Sequence, residues 1–464
     1  MASRSYAACV LCQRAAVVKT INRGMSAAAH PQSQADFLKG EPHKKHPGVT
    51  NLKTLRLPEE LQVAAQLIIH RAQVTRLPER TQKLTNFLWS RKRAVEDLSL
   101  RQKAVGLEKK LWEKAMQKGG DIDEEVLDDR IRKKVFSELR RTTYHWTPLK
   151  FDEELGVVYM AARLAGGYAA VRRALNEIKK RDPSFAPQSL LDFGSGLGTV
   201  AWACHSCWGD SLKEMVCVDS SGPMNILAER LLKGDDERAE PHIKQVYFRQ
   251  FLPVSPKVQF DLVVAAFTLS ELPNVKDREE AAFTLWRKTS SYLVLVENGT
   301  KEGHQMLMEA RDTLINKQEK TVYDFRPASV FAPCSHKLMC PKLAREPITP
   351  CNFQQMYHAL PLPGHNHRQT EKFSYLILSR TEPSQAEPEG VSWARLISPV
   401  LRRTRHVHCH MCCPDGQLQH KVVTARKHSR FDTVDTPTST AAPPSSPQHM
   451  EISTIAPPSP SHVT

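Results

Sequence analysis

Two sets of residues in this 464-residue chain have the types and spacing to do chemistry. The first is Asp192-Phe193-Gly194-Ser195-Gly196-Leu197-Gly198, with glycine at every second position, between the apolar pair Leu190-Leu191 and the helix-like Thr199-Val200-Ala201-Trp202-Ala203. Glycine allows positive φ and lets backbone N–H groups approach a ligand that a side chain would hold off. Next comes Glu214-Met-Val-Cys-Val218, which ends in Asp219, where an acid can accept hydrogen bonds from both hydroxyls of a ribose. The second set is of thiols: Ala332-Pro333-Cys334, Cys340-Pro341 and Cys351, then Arg405-His-Val-His-Cys409-His-Met-Cys412-Cys413-Pro414. Thiolates gathered from two segments suit a soft metal centre, because each ligand must be deprotonated and the metal neutralises the charge. Zinc takes four Cys or Cys/His ligands, and an iron–sulfur cluster takes four Cys, often with proline after a ligand. Cys340-Pro341 and Cys413-Pro414 favour the cluster, with structural zinc as the rival.

Each set requires elements to position it. An apolar strand, a glycine turn and a helix start make the first βα unit of a nucleotide-type fold. The dinucleotide fingerprint calls for Gly or Ala at position 199; Thr199 stands there, which disfavours a nicotinamide cofactor. The Asp192-x-Gly194-x-Gly196-x-Gly198 pattern, with Asp219 after the second strand, resembles the class I S-adenosylmethionine-dependent methyltransferases. That resemblance implies a Rossmann-like α/β sheet with the cofactor on Asp192, Gly194, Gly196, Gly198 and Asp219. Alternation continues downstream: a helix over 223–233, strands over 246–249 and 260–266, a helix over 278–288, a strand over 291–297 and a helix from about Glu302. Residues 330–331 and 373–378 supply the last two strands of a methyltransferase-like domain over 181–380, with parallel strands and ligands at their C-terminal ends. After the fourth strand the sequence reads Ala265-Ala266-Phe267-Thr268-Leu269-Ser270-Glu271, with neither the Asn/Asp-Pro-Pro-aromatic loop of amino methylation nor a Pro-Cys nucleophile. No catalytic residue is assigned, and Glu271 reads as a helix-start carboxylate.

The rest of the chain is basic and helical before this domain. Net charge is +15 and the pI near 9.3, which fits a nucleic-acid partner and equally a basic organellar protein. No apolar run is long enough to span a membrane. Residues 1–34 contain no Asp or Glu while Arg4, Arg14, Lys19 and Arg23 alternate with Ala, Val and Ser, the pattern of a mitochondrial transit peptide and a matrix address. Residues 35–180 read as a helical domain. Pro58-Glu59-Glu60 opens its first helix, with Leu61, Ala64, Ala65, Ile68 and Ile69 on one face, and further helices cover 79–117, 122–141 and 152–180. Arg91-Lys92-Arg93, Lys109-Lys110 and Arg140-Arg141 repeat along these helices and could hold an RNA backbone through phosphate contacts.

The cysteine motifs of residues 327–426, downstream of the glycine loop, resemble those of the methyltransferase-like mitochondrial small-ribosomal-subunit assembly factors. The resemblance implies a factor that binds the maturing small subunit and its ribosomal RNA and carries a [4Fe-4S] cluster. By position its ligands are Cys334, Cys340, Cys351 and Cys409, with Cys412, Cys413 and the nearby histidines around the cluster or facing RNA. It implies a fold able to bind S-adenosylmethionine and an inactive transferase; the alternative is an active RNA methyltransferase acting on small-subunit ribosomal RNA. After Thr424-Ala425-Arg426 the family's expected terminus gives way to a Pro-, Ser- and Thr-rich tail over 427–464, which should be disordered.

Overall fold

A computed structural model describes residues 50, 52–117, 123–144, 146–255, 257–316, 326–362, 367–380, 392–424 and 450–453. The acid-free start of the chain lies outside these residues, as does all of the tail except 450–453. None of the described helices is long and apolar enough to cross a membrane.

The helices are α1 (Glu59–Ala72), α2 (Leu77–Ser90), α3 (Asp97–Gln117), α4 (Glu124–Thr142), α5 (Glu153–Arg181), α6 (Thr199–Trp208), α7 (Gly222–Leu232), α8 (Val275–Arg287) and α9 (Lys301–Asn316). The main sheet contains β1 (Ser189–Phe193), β2 (Glu214–Val218), β3 (Val246–Arg249), β4 (Phe260–Ala266), β5 (Thr289–Asn298), β6 (Ser329–Ala332), β7 (Phe353–His358) and β8 (Arg368–Ser379). Its order is β3-β2-β1-β4-β5-β8-β6, with β7 also paired to β8. Strands β1 to β5 are parallel, and β8 runs antiparallel to β5, β6 and β7, so the sheet is mixed and not parallel throughout. The period of two in each strand sorts side chains between the covered faces. Leu190, Leu262, Val264, Val294 and Val296 face α1, α5, α6 and α7, while Leu191, Val263, Ala265, Leu293 and Leu295 face α8 and α9.

Helix α5 departs from the expected domain boundary at residue 180. Asp152 caps it by accepting from Leu155 N at 2.7 Å, and it is buried on nearly every side against α6, β7 and β8. Its small residues, from Ala161 to Ala174, let it lie close on the sheet, so it belongs to the methyltransferase-like layer. The single helix expected over 79–117 is two, α2 and α3. Arg91 ends α2 in an extended conformation because its buried guanidinium bonds Glu271 Oε1 at 2.6 Å and Thr147 O at 3.0 Å. Helices α3 and α4 pack on each other as a hairpin.

The edge of the sheet positions the thiols. Strand β6 pairs with residues 377–379 of β8 and β7 with residues 368–373, so the two lie end to end along one neighbour. Residues 333–352 leave this edge between them, carrying Cys334, Cys340 and Cys351 out at the level of Tyr375. Residues 392–424, expected only as cluster-binding loops, form strands of a second sheet: β9 (Ser392–Leu396), β10 (Leu401–Arg402), β11 (His406–Cys412) and β12 (Leu418–Thr424). Its order is β10-β11-β9-β13, with β12 on β11. The last strand, β13 (Met450–Ser453), lies within the tail expected to be disordered; it pairs in parallel with β9, whose edge offers unpaired backbone groups.

Candidate functional site

The glycine loop sits at the C-terminal end of β1, beside β4, where the strand order reverses, the usual ligand position of an open α/β sheet. Gly194, Gly196 and Gly198 all have positive φ, at 70°, 51° and 69°. A Cβ on Gly194 would overlap the Thr268 side chain, and Gly198 starts α6 from the left-handed region. Gly194 N donates to Val218 O at 2.8 Å, and Gly196 N donates to Asp219 Oδ2 at 2.8 Å. Asp219 Oδ1 accepts from Ser221 N at 2.8 Å, so its carboxylate ties the loop to the start of α7. Burial pushes the Asp219 carboxyl up, and these two N–H bonds pull it back. Asp192 is fully buried beneath the loop with neither carboxylate oxygen hydrogen-bonded, and burial followed by the charge of Asp219 pushes it well above the carboxylate range. The structure thus brings together all five residues expected of the cofactor site.

Sequence reasoning missed two buried groups beside them. Arg163 of α5 lies 4.9 Å over the ring of Phe267 and donates to Glu371 Oε1 at 3.0 Å and Asn298 Oδ1 at 3.2 Å. Glu297, near the end of β5, is pushed up to about 7 by burial, although Ser270 N donates to it at 3.2 Å. The loop after β4 holds the fold. Thr268 Oγ1 donates to Phe193 O at 3.0 Å, Ser270 Oγ to Phe267 O at 3.3 Å, and Glu271 is ion-paired with Arg91.

The thiols surround a separate pocket lined by Cys334, Cys340, Cys351 and Cys412, with Tyr375 and Arg395. Cys409 is not among them. Residues three apart on a strand point to opposite faces, and Cys409 packs with Ala394, Leu396, Met411 and Cys413 on the other side of β11. The electrostatics agree: burial and then the charges of Cys334, Cys351 and Cys340 push the Cys412 thiol up, whereas burial alone acts on Cys409. The period-two pattern His-Val-His-Cys-His-Met-Cys carried the signal for this strand, unread because the segment was expected to be loop. Cys351 is pushed up to about 12 by burial and by its neighbouring thiols. Burial also raises Cys334, against the pull of Arg311, whose Nη1 approaches its sulfur at 4.0 Å. Two histidines flank the thiols, His336 Nε2 at 3.3 Å from Cys412 Sγ and His304 Nε2 at 3.7 Å from Cys340 Sγ. Among the described residues no three His, Cys, Asp or Glu side chains converge as ligands of a single ion would. The four thiols line the walls of a space and do not meet at one point.

A buried ion network locks this pocket to α5. Glu177 accepts from Arg395 Nη1 and Nη2 at 2.9 and 3.0 Å, from Arg173 Nη1 at 3.1 Å and from Tyr375 Oη at 2.8 Å. Burial alone would raise the Glu177 carboxyl, but Arg395 and Arg173 hold it well below the usual range. Arg395, on β9 opposite Cys412, also donates from Nε to Pro333 O at 2.9 Å, fixing the residue before Cys334.

Five parallel strands closed by an antiparallel β8 between β5 and β6, with a glycine loop after β1 and an acid after β2, define a class I methyltransferase fold, here extended by a thiol-lined pocket. The chain belongs to the family described as mitochondrial small ribosomal subunit Rsm22, whose model matches residues 153–435. It is 51% identical over 398 residues to the human protein "Ribosome assembly protein METTL17, mitochondrial", covering 86% of this chain and 84% of that one. It is 24% identical over 301 residues to Rsm22-cox11 tandem protein 2, mitochondrial, of Schizosaccharomyces pombe, covering 58% of this chain and 40% of that one. Among solved structures it is similar to magnesium protoporphyrin IX methyltransferase of Synechocystis with bound S-adenosylmethionine. That match has 11% identity and a TM-score of 0.31, over 57% of this chain and all of the other.

Proposed function

We propose that this chain is an assembly factor of the mitochondrial small ribosomal subunit that works in the matrix, contacts ribosomal RNA, and holds a [4Fe-4S] cluster on Cys334, Cys340, Cys351 and Cys412. The observation that carries this reading is the gathering of four thiols from two distant segments around one buried pocket of a chain so similar to a human ribosome assembly protein. Four cysteines, with proline following Cys340, are the donor set that an iron–sulfur cluster takes. Arg311, Arg395 and Lys342 supply the positive charge that thiolate ligands require. When bound, the cluster supplies cross-linking among the segment 333–352, β11 and the sheet edge, and so fixes the second sheet. The acid-free residues 1–34 supply the matrix address.

S-adenosylmethionine fits the glycine loop. Asp192 is an orphaned buried carboxylate that an ammonium group would pair, and Asp219 retains lone pairs for ribose hydroxyls. The cofactor supplies an electrophilic methyl group. The loop after β4 is committed to structural bonds and to Arg91, which supports a role in assembly over methyl transfer. The test is iron and acid-labile sulfide in protein purified without oxygen. About four of each per chain are expected in the wild type and in Cys409→Ser, and a large loss in Cys412→Ser. In cells lacking the gene, Cys409→Ser restores small-subunit abundance and Cys412→Ser does not. Stoichiometric zinc in place of iron refutes the cluster, and iron lost from Cys409→Ser but kept by Cys412→Ser refutes the ligand set.

A further inference from the structure

The hairpin of β11 and β12 carries a file of histidines unused by either site. His406, His408 and His410 alternate along β11 on the face that ends in Cys412, and the register sets His410 opposite His420. His408 Nδ1 and His420 Nε2 are 2.9 Å apart, with ring planes within 10° and centroids 5.1 Å apart. Near-parallel rings at that separation, joined through nitrogen, lie edge to edge: the two imidazoles form one flat plate, one donating its N–H to the other. His410 is stacked on His420 at 4.4 Å and 8°, and His406 stands edge-on to His408 at 4.9 Å. None of the four is buried, and His420 is exposed.

The surroundings restrict what this face can meet. Leu401 of β10 and Val422 of β12 both pair with His408, giving the row Leu401, His408, Val422 across three strands with both aliphatic ends exposed. Arg403 and Arg405 stand in the turn into β11, whereas Arg402 pairs with Val407 and so lies on the opposite face, and Asp415 is the only acid between residues 392 and 424. Flat rings with apolar neighbours and a basic rim suit a strand of unpaired nucleotides: bases stack on the rings and phosphates meet the arginines. An acidic peptide would match the charge but leave the ring plate without a partner.

We infer that this face of the hairpin is a docking surface for single-stranded RNA, with bases stacked on the plate formed by His408 and His420 and on His410. The inference rests on the RNA contact of the proposed function and deepens it. Cys412 continues the same face into the thiol pocket, so the platform is as rigid as the ligand that anchors it. The direct experiment is fluorescence anisotropy of the full-length, iron-loaded protein with a labelled oligouridine of about 12 nucleotides, within the site sizes of such surfaces. Replacing His408, His410 and His420 together by Ala is expected to weaken binding about tenfold or more with iron content unchanged. Replacing Arg403 and Arg405 by Ala is expected to flatten the salt dependence. Unchanged affinity in the triple variant overturns the inference. If that variant loses its iron, the pair His408→Phe and His420→Phe decides, since it keeps flat rings without the hydrogen bond: retained affinity supports stacking, and lost affinity with iron present overturns it. Wild-type protein that binds no RNA yet rescues small-subunit assembly removes this inference and leaves the assembly role. RNA binding with normal subunits in cells lacking the gene removes the assembly role and leaves the surface.

Discussion

Replacing Glu177 by Gln tests whether the pocket is held from behind by α5. The substitution preserves size and removes the one charge shared by Arg395, Arg173 and Tyr375, all almost fully buried. Each charge-assisted hydrogen bond contributes about 1.5–3 kcal/mol, but their sum overstates the loss because both guanidiniums keep other contacts. Breaking a buried pair from one side costs about 3–5 kcal/mol, and that is the expected drop in unfolding free energy by urea titration at neutral pH. The pH dependence gives an independent check. The folded carboxyl is held low, so its contribution is fully present above the unfolded value of about 4.3 and is lost as pH falls toward the folded one. The gap between wild type and variant should therefore be flat from about pH 6 to 8 and narrow below about pH 4. A loss below about 1 kcal/mol at neutral pH, the scale of an exposed pair, would refute the reasoning.

Glu297→Gln should act in the opposite sense. Its carboxyl is raised to about 7, so the folded chain keeps a proton that the unfolded chain releases above about 4.3, and stability falls as pH rises through that window. The variant should lose this decline and gain about 1–3 kcal/mol at pH 8, read from urea midpoints at pH 5 and 8; identical slopes would sink the assignment. Gly194→Ala places a Cβ at positive φ against Thr268, and should cost about 2 kcal/mol or more and lower the thermal midpoint, whereas Gly106→Ala, on exposed α3 with open space around it, should be neutral or slightly stabilising. In Cys412→Ser, hydrogen exchange should quicken in residues 392–424 and remain unchanged in β1 and β4, which are buried in a different part of the core.

The glycine loop and the acid after β2 were legible because local chain geometry dictates them: positive φ at alternate positions admits little but glycine, and a strand tip fixes where Asp219 falls. The helix break at Arg91 was not legible, because a residue 180 positions away, Glu271, draws the guanidinium in. The thiols were visible as a group, but which of them line one pocket was not. Whether Cys409 or Cys412 faces the pocket depends on whether the segment is loop or strand, and a one-residue change of face moves every side chain. The packing of α5 on the sheet was not legible for a related reason. The small residues of α5 resemble those of any helix, and only the sheet beneath it makes them a packing surface.

Helix α5 holds the glycine loop and the thiol pocket apart within one fold. Arg163, over Phe267 at the glycine loop, and Glu177, behind the thiol pocket, stand 14 positions apart on it, which at 1.5 Å per residue is about 21 Å. Between them the helix is buried on nearly every turn, so it behaves as a strut and not as a hinge. A ligand at the loop would act through Arg163 and Glu371, and the thiols act through Arg395 and Glu177; neither path contains a group of the other. The charged pairs at the two ends also hold the edge strands β7 and β8 and the second sheet against the same helix. Loss of the proposed cluster would therefore release β9 and β11 from one end of the strut while the methyltransferase-like sheet stays folded around the other. A chain built this way could report the presence of the proposed cluster through the hairpin surface alone, with no need for the glycine loop to change.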